Sequence, residues 1–130
     1  MLISLLKCKI HRATVTEADI NYVGSLSIDE ELMELAGLRE YEEIMISDVT
    51  NGERLHTYVI KAPRRSRVIG VNGAAAHKIH VGDQIIIFSF GQYEPGELEA
   101  HLPRLVFVDR SNNPIPGPVV ERHAAVVEGY

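Results

Sequence analysis

Short apolar runs separated by Gly, Pro and Asn recur along almost the whole chain, and this punctuation limits the possible folds more than any other feature. Residues 2–11 alternate loosely, with Leu2, Ser4, Leu6, Cys8 and Ile10 on one side and Ile3, Leu5, Lys7, Lys9 and His11 on the other. Two largely apolar sides predict a strand beside a core. Val15, Ile20 and Tyr22 carry the extended character on towards Gly24. "EIMISDV" and "RLHTYVIKA" flank Thr50-Asn51-Gly52-Glu53, where Asn-Gly predicts a hairpin closed by a type I′ turn, since both residues accept positive φ. "RVIGV", "VGDQIIIFSF" and "RLVFVD" read as further strands, "NGAAAHKI" as a helical turn, Pro63 to Arg67 as a basic turn and "GQYEPGELEAHLP" as a loop. One longer stretch has the pattern of an α-helix. Ser27-Ile28-Asp29-Glu30 has the Ser-x-x-Glu spacing of a capping box, Leu32, Met33, Leu35 and Ala36 supply an apolar face, and Gly37 is placed to end it. Many short strands with little helix predict a mainly β single domain, a small barrel or sandwich.

A chain of 130 residues, 45% apolar and 24% charged, can bury one core unaided. A net charge of −5 argues against a nucleic-acid partner, which needs a concentrated positive face. The lone Cys8 excludes an internal disulfide framework and a Cys-rich zinc site. His11, His56, His77, His80, His101 and His123 lack the HExxH spacing of a metal hydrolase, and His77 with His80 is a single i,i+3 pair, so no metal is expected. The N-terminal apolar run stops at Lys7 with no basic residues ahead of it and no small-residue cleavage site, and no run approaches membrane-spanning length. A cytoplasmic protein with no membrane partner is expected.

Gly24-Ser25, between the extended segment and the helix, is a turn-like dipeptide that also has a chemistry open to it. A serine hydroxyl can attack the carbonyl carbon of the preceding residue, and glycine eases the attack because it has no Cβ and tolerates strained backbone. The ester so formed can lose its acyl group by β-elimination, leaving dehydroalanine that water converts to a pyruvoyl group with release of ammonia. Other groups suit this reaction. Arg54 and Tyr58 share strand parity, so both could face one pocket, with Thr57 reaching it through a seam or bulge. Asn72-Gly73-Ala74-Ala75 offers small residues and backbone amides of the kind that hold a carboxylate or oxyanion. Taken singly, each has a plainer reading: a turn at Gly24-Ser25, a solvated charge at Arg54, a core rim at Tyr58 and a tight turn at Asn72-Gly73.

Taken together, "KIHRATVTEADINYVGSLSID", "VTNGERLHTYVI" and "VNGAAAHKIHVGDQIII", in that order and spacing, resemble the bacterial aspartate 1-decarboxylase family over about Leu2 to Val108. The resemblance implies a double-psi β-barrel with short helices over 1–109, assembled as a homotetramer with active sites between subunits. It implies self-cleavage between Gly24 and Ser25 into a β chain of 1–24 and an α chain of 25–130, with Ser25 becoming a covalent pyruvoyl group and no need of PLP. Thr57 matches a residue of processing and substrate contact, Tyr58 the proton donor, and Gly73, Ala74 and Ala75 the substrate-binding segment. Arg54 and Lys9 match cationic pocket residues; His11, Tyr22 and Asn72 take supporting roles. The implied reaction takes L-aspartate to β-alanine and CO2 for pantothenate synthesis. It runs through a Schiff base to the Ser25-derived ketone, and a maturation factor is a possible further partner. Two alternatives stand beside it: a pyruvoyl decarboxylase of another amino acid such as glutamate, and a non-catalytic barrel that binds a partner. The Pro-rich segment 110–130 matches no family motif and is expected to be a flexible tail.

Overall fold

The computed structural model describes residues 1–123. β1 (Ile3–Thr14) is an inner strand of the sheet, antiparallel to β7 (Gln84–Tyr93) and parallel to β8 (Arg104–Val108). Two register shifts, between Leu6 and Cys8 and between Ile10 and Ala13, interrupt its pairing with β7, and Arg12 at the second takes φ 61°. Such bulges sharpen twist and let a long strand curl. β4 (Glu43–Asp48) lies between β7 and β5 (Arg54–Ala62), antiparallel to both. β5 is parallel to β3 (Leu26–Asp29), which is antiparallel to β6 (Ile69–Asn72), and β6 is parallel to β2 (Glu17–Asp19). β9 (Pro114–Ile115) pairs with β8, giving the order β2-β6-β3-β5-β4-β7-β1-β8-β9.

The two ends of this sheet are tied to each other. Asn112, fully buried, donates from Nδ2 to the carbonyls of Thr14 and Arg67 at 2.8 and 3.0 Å, and its Oδ1 accepts from Thr14 N–H at 2.7 Å. One carboxamide thus bridges β1, the approach to β6 and the approach to β9. Inside, Ile10, Leu26, Ile28, Leu32, Ile44, Ile46, Ile69, Ile85 and Ile87 are fully or almost fully buried, a β-branched core suited to a curved sheet.

α1 (Glu30–Ala36) buries Leu32, Met33 and Ala36, and Gly37 ends it at φ 75° as the sequence predicts. Its start differs from the expectation. Ser27 is held in β3 opposite Ile60 and Gly70, so the backbone stays extended to Asp29, whose carboxylate caps the helix by accepting from Glu31 N–H at 2.8 Å. The β4–β5 hairpin forms, but not through a type I′ turn: its connection spans 49–53, and Gly52 has φ 79° while Asn51 does not take positive φ. The reason is Asp48, whose Oδ1 accepts from the N–H groups of Thr50 and Asn51 at 2.8 and 3.2 Å and organises a longer loop. Part of the segment read as a loop after residue 90 continues β7 to Tyr93, followed by a 3-10 turn at Pro95–Glu97. Of the expected C-terminal tail, Pro114–Ile115 forms β9 and Glu121 reaches Lys9; residues 124–130 lie outside the described residues. Among the described residues no helix is long and apolar enough to cross a membrane.

Candidate active site

The position of Gly24-Ser25 follows from the pairing of β3. Leu26 is opposite Val59 on parallel β5 and opposite Val71 on antiparallel β6. One residue upstream, Ser25 therefore stands in register with Tyr58 on one side and Asn72 on the other. Asn72 N–H donates to the Ser25 carbonyl at 2.8 Å. Because Leu26, Val59 and Val71 point into the core, Ser25, Tyr58 and Asn72 share the outer face of the sheet.

The Gly24 backbone is tightly held. Its φ is 98°, and a Cβ there would stand 2.7 Å from Ile60 Cδ1 on β5. Gly73 approaches from the opposite side with φ 65°: a Cβ on it would lie 3.4 Å from the Gly24 carbonyl oxygen and 3.6 Å from that of Tyr22. Both positive φ values favour glycine; a Cβ at Gly24 would also require the end of the Ile60 side chain to shift, whereas one at Gly73 would stand in ordinary contact with the two carbonyls. The Gly24–Ser25 bond is thus clasped between β5 and the end of β6, with Ser25 half-buried. A turn that merely reverses direction in solvent has no need of such packing.

Thr57 and Tyr58 lie on β5 opposite Ile44 and Glu43. Arg54, His56 and Tyr58 occupy the exposed face as strand parity predicts, with Thr57 half-buried on the other. Tyr58 is 37% exposed, and its ring centroid is 6.2 Å from that of Tyr41. Arg54 lies opposite Ser47, four residues and about 13 Å along the strand from Tyr58 at ~3.3 Å per residue. Gly73–His77 forms a 3-10 turn that starts beside Gly24; Ala74 is exposed, while Ala75 packs on the core.

Lys9 and His11 sit on β1, separated from β5 in the sheet order by β7 and β4. Lys9 Nζ pairs with Glu121 at 2.9 Å. The His11 ring meets Phe107 edge-on at 5.7 Å; burial first, then the charges of Lys9 and Arg12, lower its pKa to about 4, so the imidazole is neutral at neutral pH. Tyr22 is exposed, and its carbonyl is the one that Gly73 approaches. Tyr58, Asn72 and Gly73 are therefore brought to the candidate bond within one copy, whereas Lys9, His11 and Arg54 occupy other parts of the sheet. A groove of about 430 Å³ between Leu35, Phe107, Pro114 and Val119 contains none of these residues. Among the described residues no group of three or more His, Cys, Asp or Glu is arranged to hold a metal ion.

Two features here escaped the sequence. Ile60, which backs Gly24, looks like any strand residue. Ser27 sits on the site's face of β3, but its spacing to Glu30 reads as a helix cap.

Fold and site together define a small, mainly β, single-domain protein with a glycine-serine bond held at positive φ on the outer face of its sheet. The profile of the family described as aspartate decarboxylase matches residues 1–115, and the chain belongs to that family. It is 51% identical over 124 residues to the aspartate 1-decarboxylase of Caldicellulosiruptor saccharolyticus, covering 95% of this chain and 97% of the relative. It is 51% identical over 128 residues to that of Lactiplantibacillus plantarum, covering 98% of each. Against that of Chromobacterium violaceum it is 56% identical over 109 residues, 84% of this chain and 86% of the other. A computationally designed protein, msDPBB_sym2, is similar in structure over 65% of this chain and 96% of its own, with a TM-score of 0.40 and 19% identity. The double-psi β-barrel implied by the resemblance is the fold of a chain in this family, in keeping with one mainly β sheet tied end to end.

Proposed function

We propose that the chain cuts its own backbone between Gly24 and Ser25, and that the resulting α chain (25–130), with the β chain (1–24), decarboxylates L-aspartate to β-alanine and CO2 for pantothenate synthesis in the cytoplasm. One observation supports this most strongly: Gly24, at φ 98° and wedged against Ile60, carries a carbonyl against which Gly73 packs. Ser25 Oγ would attack that carbonyl carbon, and the Ser25 nitrogen would take a proton as the C–N bond breaks, leaving an ester. Removal of the Ser25 Cα proton expels the Gly24 carboxylate; water then adds to the dehydroalanine and ammonia leaves.

The small residues Gly73 and Ala74 leave room beside residue 25 for a pyruvoyl group, and Asn72 N–H already holds the carbonyl of that residue. A pyruvoyl group supplies an electron sink for the loss of CO2. The chain's own side chains would do the rest. Thr57 would donate to the Gly24 carbonyl during cleavage. Tyr58 would carry the proton returned to the α carbon, and Gly73, Ala74 and Ala75 would line the substrate. Arg54 would bind the side-chain carboxylate, for which a planar guanidinium suits better than an ammonium, with Lys9 as a second cation.

Assembly completes this arrangement. In one copy Arg54 lies about 13 Å along the strand from Tyr58, and Lys9 lies on β1, separated from β5 by β7 and β4. Ile20, Tyr22, Val23, Tyr41 and Tyr58 all leave apolar surface exposed around the candidate bond, a patch of the kind that marks a protein interface. A homotetramer with sites between subunits would cover it and supply the missing cations.

Ser25→Ala tests the cleavage chemistry. That variant should fold, remain one chain and show no decarboxylation; two chains from it would exclude attack by the serine hydroxyl. Arg54→Ala should still be cleaved while KM for aspartate rises sharply, and an unchanged KM would remove Arg54 from substrate binding.

A further inference from the structure

Ser27 is half-buried in β3 and does not cap α1, since Asp29 does. It is two residues beyond Ser25, so both side chains rise from the same face of the strand. There the Ser27 hydroxyl accepts from Asn72 Nδ2 at 2.9 Å. Asn72 is 3% exposed, and a buried carboxamide needs its partners. The backbone of this same asparagine donates to the Ser25 carbonyl at 2.8 Å, and the next residue, Gly73, is the one packed on the Gly24 carbonyl. Ser27 therefore anchors the one residue whose backbone holds the downstream side of the candidate bond and whose neighbour abuts its upstream side. A mid-strand position such as this is commonly filled by a β-branched or apolar residue, and here the hydroxyl meets the Asn72 carboxamide.

We propose that Ser27 is a positioning residue for backbone cleavage: by fixing the Asn72 carboxamide it holds the Asn72-Gly73 backbone against Gly24-Ser25 while Ser25 Oγ attacks. This rests on the self-cleavage reading above. Attack within a turn depends on the geometry of the carbonyl, and small displacements of its supports cost rate. Ser27 touches neither the nucleophile nor the carbonyl under attack in this arrangement; it acts through Asn72. The contact is available in the uncut chain, so its effect belongs to maturation and is separable from turnover of the finished enzyme.

The experiment follows conversion of freshly synthesised full-length chain to two chains on denaturing gels and by mass. It uses wild type, Ser27→Ala, Ser27→Thr, Ser27→Val, Asn72→Ala and the Ser27→Ala/Asn72→Ala double variant. Loss of the hydroxyl should slow cleavage about tenfold, the rate equivalent of one hydrogen bond. Ser27→Thr, which keeps the hydroxyl, should cleave near the wild-type rate, while Ser27→Val, of the same shape without it, should be as slow as Ser27→Ala. In the Asn72→Ala background, Ser27→Ala should add no further slowing. Thr and Val share shape and strand preference, so this pair decides the matter even where Ser27→Ala folds poorly. Equal rates for Thr and Val, or slowing that multiplies in the double variant, overturns the proposal while the self-cleavage reading stands. A wild-type chain that stays whole removes that reading itself.

Discussion

Asp48, at the end of β4, is 2% exposed, and its Oδ1 serves the loop to β5. Its Oδ2 is buried with no hydrogen-bond partner among the described residues unless it carries a proton. Burial, and then the neighbouring Asp83 carboxyl, push its pKa up to about 6. A proton on Oδ2 donated to Asp83 satisfies both acids, and the Asp83 carboxyl is correspondingly held below its usual range. Because the folded pKa of Asp48 lies above the unfolded one, its contribution to stability is present below about pH 4 and lost as pH rises through about 6. His11, lowered to about 4, works the other way, its contribution fading as pH falls. Asp48→Asn isolates the first effect: the stability of the variant minus that of wild type should climb between pH 4 and 6 and then level off, measured by urea denaturation across pH. A flat difference would show that Asp48 and Asp83 do not share a proton. At the same scale, Tyr58→Phe should be cleaved normally yet turn over aspartate at least tenfold more slowly; normal turnover would move the proton donor elsewhere. The exposed face shared by Arg54 and Tyr58 was legible from strand parity, because parity is local. What parity does not show is that Ser25 stands beside Tyr58, four residues of extended chain from Arg54, because that depends on the pairing of β3 with β5.

Among the elements, the junction of β3 and α1 depends on Asp29. Its fully buried carboxylate accepts from the N–H groups of Glu31, Arg65 and Arg67 and from the Arg67 guanidinium at 3.2 Å. Burial alone would raise its pKa; the N–H groups of Arg67, Arg65 and Glu31 and the charge of Arg67 together outweigh it and hold the carboxyl below the usual range. Asp29 thus caps α1 and fixes the basic turn that leads into β6. Asp29→Ala, made in the uncleaved Ser25→Ala chain so that unfolding concerns a single polypeptide, should cost about 3 kcal/mol in urea titrations. A loss below about 1 kcal/mol would reduce Asp29 to an ordinary cap. The helix, its glycine stop and most strands could be read from periodicity. The cap could not, because Ser27 and Asp29 both satisfy the local signal, and which one serves depends on how far β3 stays paired with β5 and β6.

Across the whole molecule, pairings such as Leu26 with Val59 and Leu26 with Val71 join parts of the chain far apart in sequence. Alternation says that a strand exists but not which neighbour it takes, so the sheet order and the place of Asn112 between its ends were closed to sequence reasoning. The strand pattern predicted a small barrel or sandwich, and only the family resemblance singled out the double-psi topology. Assembly makes its own prediction: Ser25→Ala and Arg54→Ala chains, each deficient alone, should recover part of the wild-type activity at low aspartate when co-expressed, because some sites would combine an intact residue 25 with an intact Arg54 from another copy. Activity no greater than that of the Arg54→Ala chains in the mixture would place both residues in one subunit. The most direct measurement is the mass of the purified full-length chain under denaturing conditions. Two species are expected, 1–24 and a 25–130 chain beginning with a pyruvoyl group, their summed mass exceeding that of the intact chain by one water less one ammonia. A single unbroken chain in a preparation that decarboxylates aspartate would contradict self-cleavage as the origin of the activity.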